Sequence, residues 1–321
     1  MHPVFNLGPL EFPAYFTFLT LGYTLAVLLA HREALKIPHL VSPVKFIDLS
    51  MILLFAGLLG ARIMHVLADG YLTEYINLCL DPLATKALPA PEGFRCVSDA
   101  ACEAKNLGEL CNLAAGTCHQ GQDCLRALKF WYGGLAFYGG LLLASLVAVW
   151  YMRRFRAQIQ FPAMADLAGF GIALGLVFGR LGCWLAGCCF GCVAHGGPAV
   201  NFPKHSPAFD RHVDLGLITK HAHESLPVIP VQLYQLGANL LVFLAVFAYF
   251  KTHKQRDGRT LALFLMLNAV TRFILEYWRD DYRGLWFTDA LSSSQLVALP
   301  LFALGLWFYL KPGVLKKVGG L

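Results

Sequence analysis

The sequence predicts an all-α, polytopic integral membrane protein with seven transmembrane helices, on three observations. Hydrophobic residues make up 57% of the 321-residue chain and charged residues only 14%, with a mean hydropathy of +0.56, outside the range of soluble domains. Apolar runs of the roughly 17 to 25 residues that cross a bilayer recur along the chain. The basic residues gather in short loops between those runs, as topology signals do. The formal charge of +6 is therefore read as a membrane signal, and nucleic acid is excluded as a partner.

The first run, Pro13 to Ala30, leads directly into His31, Arg32 and Glu33 with no small-residue cleavage site, and is read as a retained span. Further runs follow at Phe46 to Leu67, Phe130 to Met152 and Phe161 to Leu185, with weaker or shorter ones at Val231 to Phe250, Thr260 to Tyr277 and Gln295 to Leu310. Four basic groups then fall on one side: Arg32, Lys36 and Lys45; Arg153, Arg154 and Arg156; Lys251, Lys254, Arg256 and Arg259; and Lys311, Lys316 and Lys317. By the positive-inside rule that side is cytoplasmic, which leaves the N-terminus outside and the C-terminus inside.

Two segments are expected outside. Residues 69–129 form a polar insertion holding Cys79, Cys96, Cys102, Cys111, Cys118 and Cys124, and an external position favours three disulfides in any of fifteen connectivities. A zinc knuckle is the rival, but no CxxC pair occurs there. The loop 192–230 carries prolines and five histidines, at 195, 205, 212, 221 and 223. Their spacing lacks a tight ligand pair, so they are read as solvated loop residues rather than metal ligands.

The stretch Gly179 to Gly191, GRLGCWLAGCCFG, places Arg180 among glycines near the outer end of an apolar run. An arginine at membrane depth faces a protein interior or cavity and marks an anion site by default, with snorkelling to the headgroups as the bland alternative. Gly179, Gly182 and Gly187 would let a bulky ligand or a neighbouring helix approach the backbone. Helical rise puts Arg180 about 27 Å from the cytoplasmic edge. Arg62 and His65, Arg272 and Glu276, and Tyr15 and Tyr138 reach the same outer level, which predicts a shared cavity. Arg272 and Glu276, at i and i+4, are expected to pair. Two or three arginines at such a cavity suit a phosphate, whose oxygens the guanidinium fork binds bidentately.

These residues resemble the prolipoprotein diacylglyceryl transferase family. The resemblance covers nearly all of the chain except the cysteine-rich insertion and rests on Tyr15, GARIMHVL with Arg62, GGLAFYGG at Gly133 to Gly140, GRLG at Gly179 to Gly182, QLYQ at Gln232 to Gln235 and RFILEYWR with Arg272, Glu276 and Arg279. It implies transfer of the diacylglyceryl group of phosphatidylglycerol to the lipobox cysteine of preprolipoprotein signal peptides, releasing glycerol phosphate. It implies a monomer among membrane lipids of the bacterial inner membrane, and neither cofactor nor metal is expected. Arg180 and Arg272 are assigned to the phosphate and leaving group, and His65 to general-base work, as the side chain that titrates near neutral pH. Tyr138 and Tyr15 are assigned to hydrogen bonding, and Arg62 to a headgroup or to structural anchoring. Gly179, Gly182, Gly187, Tyr234 and Glu276 complete the binding set.

The chain departs from the family pattern at Cys183, Ala186 and Cys188, where the family signature carries polar residues. It departs again at Tyr138, where the family carries histidine, and at Ile229 and Gln235. Two unrelated drifts account for His65 and Tyr138, with a histidine and a tyrosine exchanged across a helix interface kept open as the alternative. Cys183, Cys188, Cys189 and Cys192 are expected to form structural disulfides. The Cys189–Cys192 CxxC keeps a quinone-linked thiol oxidoreductase open as an alternative, and the arginines keep open an anion transporter. The topology is checked with a reporter active only in the cytoplasm: fused after Leu321 it should give signal, and fused within 103–121 none.

Overall fold

The computed structural model describes residues 4–7, 10–68, 71–88, 90, 93–105, 107–129, 136–204, 206–280, 285–286 and 291–312. Ten helices follow in order: α1 (Ala14–Ala34), α2 (Pro43–Ala68), α3 (Leu72–Leu80), α4 (Asp99–Glu103), α5 (Phe137–Arg154), α6 (Phe161–Ala186), α7 (Pro207–Asp214), α8 (Val231–Thr252), α9 (Arg259–Leu275) and α10 (Ser293–Leu310). Three two-stranded hairpins join them: β1 (Val4–Leu7) with β2 (Leu10–Pro13), β3 (Leu110–Asn112) with β4 (Thr117–His119), and β5 (Leu285–Trp286) with β6 (Leu291–Ser292). Among the described residues five helices, α1, α2, α6, α8 and the stretch Arg259–Trp278, are long and apolar enough to cross a membrane, and Ser294–Leu310 is a shorter apolar helix. The chain is thus a polytopic membrane protein by length and composition. Gly133, Gly134, Leu135, His205, Lys316 and Lys317, together with the side chain of Tyr138, lie outside the described residues.

The chain divides into two compact units, Met1–Ile47 with Met152–Leu321, and Asp48–Tyr151. In the first, α6 is the central helix, packed by α1, α8 and α9, while α10 packs on α9. Small residues let these helices close on one another, as membrane helices need when lipid supplies no hydrophobic drive between them. A side chain at Gly169 would meet the Leu261 backbone at 2.9 Å, and one at Gly22 would meet Phe178 at 2.5 Å.

Asp166, fully buried on α6, accepts hydrogen bonds from the backbone N–H groups of Gly258 (3.2 Å) and Thr260 (2.8 Å). It satisfies amides at the start of α9 that no helical carbonyl can reach. At the same end Lys251 of α8 reaches Glu33 of α1 at 3.0 Å. Polar side chains therefore gather at both ends of this bundle and are not confined to the level of Arg180 and Arg272. The set at the Asp166 end consists of helix caps and interhelical ties, which pattern reading overlooks because each partner lies far away in sequence.

The loop 192–230 folds on α7 around Phe190, Phe202, Ala208 and Val228. Its His212 is fully buried, not solvated as expected: its Nδ1 accepts the Leu226 N–H at 3.2 Å and its ring stands edge-on to Phe190. Burial holds that imidazole below the ordinary histidine range. His195, His221 and His223 are exposed.

In the second unit α2 and α5 cross where Gly60, Gly139 and Gly140 bring backbone against backbone. The insertion closes on three disulfides, Cys79–Cys124, Cys96–Cys111 and Cys102–Cys118. Four of these cysteines are its buried core, with Phe94 and Leu107 against them, so cystine replaces the apolar mass that so polar a segment lacks. Mass mapping of unreduced, denatured protein should return these three pairings and no free thiol among the six. Cys102→Ala with Cys118→Ala opens a loop of 16 residues and should cost the insertion about 3 kcal/mol, read as faster proteolysis within 88–119.

Candidate active site

The site builds from α6. Asp166 sets the level of Thr260, and from that tie Arg180 lies about 21 Å along α6 and Arg272 about 18 Å along α9, so two helices starting together deliver two guanidinium groups at nearly one height. Arg180 is half-buried and makes no hydrogen bond or ion pair with the described residues. A Cβ at Gly179 would meet nothing within 4 Å, which leaves open space beside that arginine. Gly182 is needed for a different reason: a Cβ there would stand 3.2 Å from the Tyr15 Cα and carbonyl oxygen, so it brings Tyr15 of α1 against α6. Gly187 ends the helix in the left-handed region (φ 71°), with Cys188 N–H on the Cys183 carbonyl at 3.1 Å.

Glu276 organises the second half of the site. Its carboxylate takes Arg272 Nη2 at 3.6 Å, Arg279 Nε at 3.8 Å and the Ser292 hydroxyl at 3.1 Å. Arg272 also donates to Ser294 Oγ at 2.9 Å, and Arg279 Nη1 donates to Gln235 Oε1 at 3.2 Å. Arg279 is 2% exposed, Glu276 5% and Arg272 21%. Arg279 is thus the buried strut and Arg272 keeps an open face. Among the described residues Arg272 and Arg279 share the Glu276 carboxylate while Arg180 stands at the same height, and guanidinium groups so placed suit an anion. Glu276 joins Arg272, Arg279 and Ser292 through one carboxylate. Tyr234, on the first turn of α8, is 40% exposed.

The expected Arg272–Glu276 pair is present. Sequence reading missed Arg279 and Gln235 as members of this network and Asp166 as its base. Arg279 carried a visible signal, three residues after Glu276 in RFILEYWR, whereas Gln235 carried none.

Arg62, His65 and Tyr138 belong to the other unit. Arg62, largely buried, donates from Nε to the Ala127 carbonyl at 2.6 Å and from Nη2 to the Arg126 carbonyl at 2.7 Å, over the Tyr75 ring. It ties the end of the insertion to α2, which supports the anchoring role expected of it. His65 stacks on Tyr71 at 4.5 Å, with Tyr75 edge-on. Tyr138 lies in the first turn of α5.

Cys183, Cys188, Cys189 and Cys192 form no disulfide, contrary to expectation. The first three bring their sulfurs within 4.8 Å of one another, while Cys192 Sγ donates to the Arg279 carbonyl at 3.5 Å. Cys189 and Cys192, the CxxC of the alternative reading, do not pair: Cys192 follows the bridge between Gly191 and Arg279 and is not a member of the sulfur cluster.

The family model described as prolipoprotein diacylglyceryl transferase matches residues 2–87 and 112–311. Among known proteins the chain is similar to three that carry the name phosphatidylglycerol–prolipoprotein diacylglyceryl transferase. That of Xylella fastidiosa is 30% identical over 222 residues, 61% of this chain and 70% of the relative. That of Nitratidesulfovibrio vulgaris is 33% identical over 185 residues, 57% of this chain and 62% of the relative. That of Neisseria gonorrhoeae is 32% identical over 202 residues, 60% and 70% respectively. The unmatched residues 88–111 fall inside the cystine-rich insertion.

Glu276→Gln keeps the shape of the network and removes the charge between two guanidinium groups. It should destabilise the detergent-purified protein by about 3 kcal/mol, seen as a lowered midpoint of thermal unfolding, and Gln235→Ala should cost less.

Proposed function

The chain belongs to the prolipoprotein diacylglyceryl transferase family, and from that premise we propose that it transfers the diacylglyceryl group of phosphatidylglycerol to the cysteine thiol of a prolipoprotein, releasing glycerol phosphate. The observation that carries this reading beyond the family match is the half-buried Arg180, without a protein partner among the described residues, at the height of the Arg272–Glu276–Arg279 network. A phosphodiester supplies the missing negative charge and matches the guanidinium fork.

In the reaction the acceptor sulfur attacks the glycerol carbon that bears the phosphate ester. The carbon–oxygen bond breaks, and its electron pair leaves with glycerol phosphate. Charge grows on the departing phosphate, where arginines fixed beforehand lower the barrier without reorganising. Arg180 and Arg272 take that phosphate, Glu276 and Arg279 aim Arg272, and Tyr15 donates a hydrogen bond in the pocket. Tyr234 and the open backbone at Gly179 accommodate the lipid. His65 is the base candidate, histidine being the residue type suited to proton transfer near neutral pH, and Arg62 holds the insertion in place. Seven spans with the N-terminus outside, a bacterial inner membrane location and a monomeric state complete the proposal, supported by the basic-loop asymmetry and by the family.

Arg180→Lys keeps the charge and loses the planar fork. Each lost hydrogen bond to a charged group raises the barrier by roughly 1.5 to 3 kcal/mol, or about 10- to 150-fold in rate. Transfer of labelled diacylglyceryl to a lipobox peptide in membranes, with expression matched, should fall by that factor. His65→Gln should show a defect that shrinks at high pH, where the acceptor thiol ionises unaided. Full activity of Arg180→Lys would remove the phosphate from this site.

A further inference from the structure

The mechanism above leaves three thiols unused at the outer end of α6. Cys183 lies in the last turn of the helix, and the chain then reverses: Gly187 adopts a left-handed backbone (φ 71°) and so does Cys189 (φ 61°). A left-handed backbone at a residue with a side chain is uncommon and costs on the order of 1 kcal/mol, and it persists where surrounding contacts impose it. Here they do. Cys188 N–H is held by the Cys183 carbonyl at 3.1 Å, and its own carbonyl accepts from Gln232 Nε2 at 3.0 Å. Gln232 is fully buried, and its Oε1 has no hydrogen-bond partner among the described residues. The reversal folds Cys188 and Cys189 back on Cys183, and the three sulfurs lie within 4.8 Å of one another.

That spacing is close to what a metal ion requires. With zinc–sulfur bonds of about 2.3 Å, two thiolates on a tetrahedral ion stand about 3.8 Å apart, so the cluster needs only a small contraction. Three thiolates carry more negative charge than one zinc ion neutralises, and Arg180 and Arg279 both lie near enough to Cys189 to act on it electrostatically. Tyr15 lies within the same electrostatic range of the three thiols and of Arg180.

We propose that Cys183, Cys188 and Cys189 form a three-thiolate zinc site whose fourth position receives the acceptor's cysteine. Three protein ligands with one open position are the arrangement of catalytic zinc, and a thiol that coordinates zinc is held as thiolate. The acceptor thiol gives its proton to water as it binds the ion. Its sulfur then attacks the glycerol carbon, the carbon–oxygen bond breaks, and the electron pair leaves on glycerol phosphate beside Arg180. The product thioether is neutral and a weak ligand, so it departs and reopens the site. The acceptor role rests on the transferase reading, whereas the metal site itself does not.

The full-length protein, purified in detergent without chelator, should retain about one zinc per chain, and Cys183→Ser/Cys188→Ser/Cys189→Ser should lose it. The six insertion cysteines are in disulfides and supply no thiolate. After zinc removal, Co²⁺ alone should give sulfur-to-cobalt charge-transfer absorption and the visible bands of a tetrahedral site. Cys188→Ser should weaken these bands and Cys192→Ser should leave them, which guards against a triple variant that fails to fold. A lipobox peptide should shift the bands, and its Cys→Ser analogue should not. Absence of zinc and of the cobalt bands, their survival in the triple variant, or a disulfide between any two of the three cysteines in the native protein would each overturn the site. Unchanged bands with the cysteine peptide would overturn the acceptor role. The two readings separate: full transfer by the chelated triple variant sinks the acceptor role and leaves the reaction, while cobalt bands in a protein with no transferase activity sink the reaction and leave the metal.

Discussion

The buried carboxylate of Asp166 is the tie on which the rest of the site depends. By accepting two backbone N–H groups at the start of α9, it does the work of an N-terminal cap across a helix interface instead of within one helix. Two helices pinned together at their first turns rise at the same rate, and so Arg180 and Arg272 arrive at one level without any direct link between them. Slipping α9 by a residue would move Arg272 about 1.5 Å and turn it by about 100° around its axis, which would take its open face away from the anion.

At the other end the constraint is charge in a medium that does not tolerate it. Arg272 and Arg279 share Glu276, and Ser292, Ser294 and Gln235 take up further hydrogen-bonding capacity. The sharing is unequal: the arginine at 2% exposure is enclosed by the protein, while the one at 21% keeps an exposed face. On the proposed reading that face, together with Arg180, is what a phosphate would meet, and the same few side chains would then serve both stability and catalysis.

The second unit shows how a family scaffold accepts an insertion. Residues 88–111, outside the family match, contain three of the four buried core cysteines, Cys96, Cys102 and Cys111, and fold on cystine rather than on apolar bulk. The C-terminal end of the larger polar segment is tied separately: Arg62, which the sequence places at the end of a membrane-length run, turns its guanidinium to the carbonyls of Arg126 and Ala127. An arginine that reads as a headgroup ligand is thus accounted for by backbone oxygens of the inserted segment.

Much of this was legible in the sequence because it is written locally. Hydropathy marked every long helix, Arg272 and Glu276 announced their pairing by an i, i+4 spacing, and six cysteines in one polar segment announced disulfides. The order and spacing of GRLG and RFILEYWR identified the family. What the sequence could not reveal depends on partners distant along the chain. Asp166 meets Thr260, Gln235 meets Arg279, and His212 disappears beneath Leu226 and Phe190, and none of these leaves a periodic trace. The cysteines show the division within one segment. Their presence near the end of α6 is a fact of sequence, and a CxxC pair is its natural reading. Two left-handed residues and the Gln232 side chain decide instead that Cys183, Cys188 and Cys189 come together while Cys192 turns to Arg279, because backbone reversal and burial, rather than spacing, determine which sulfurs can meet.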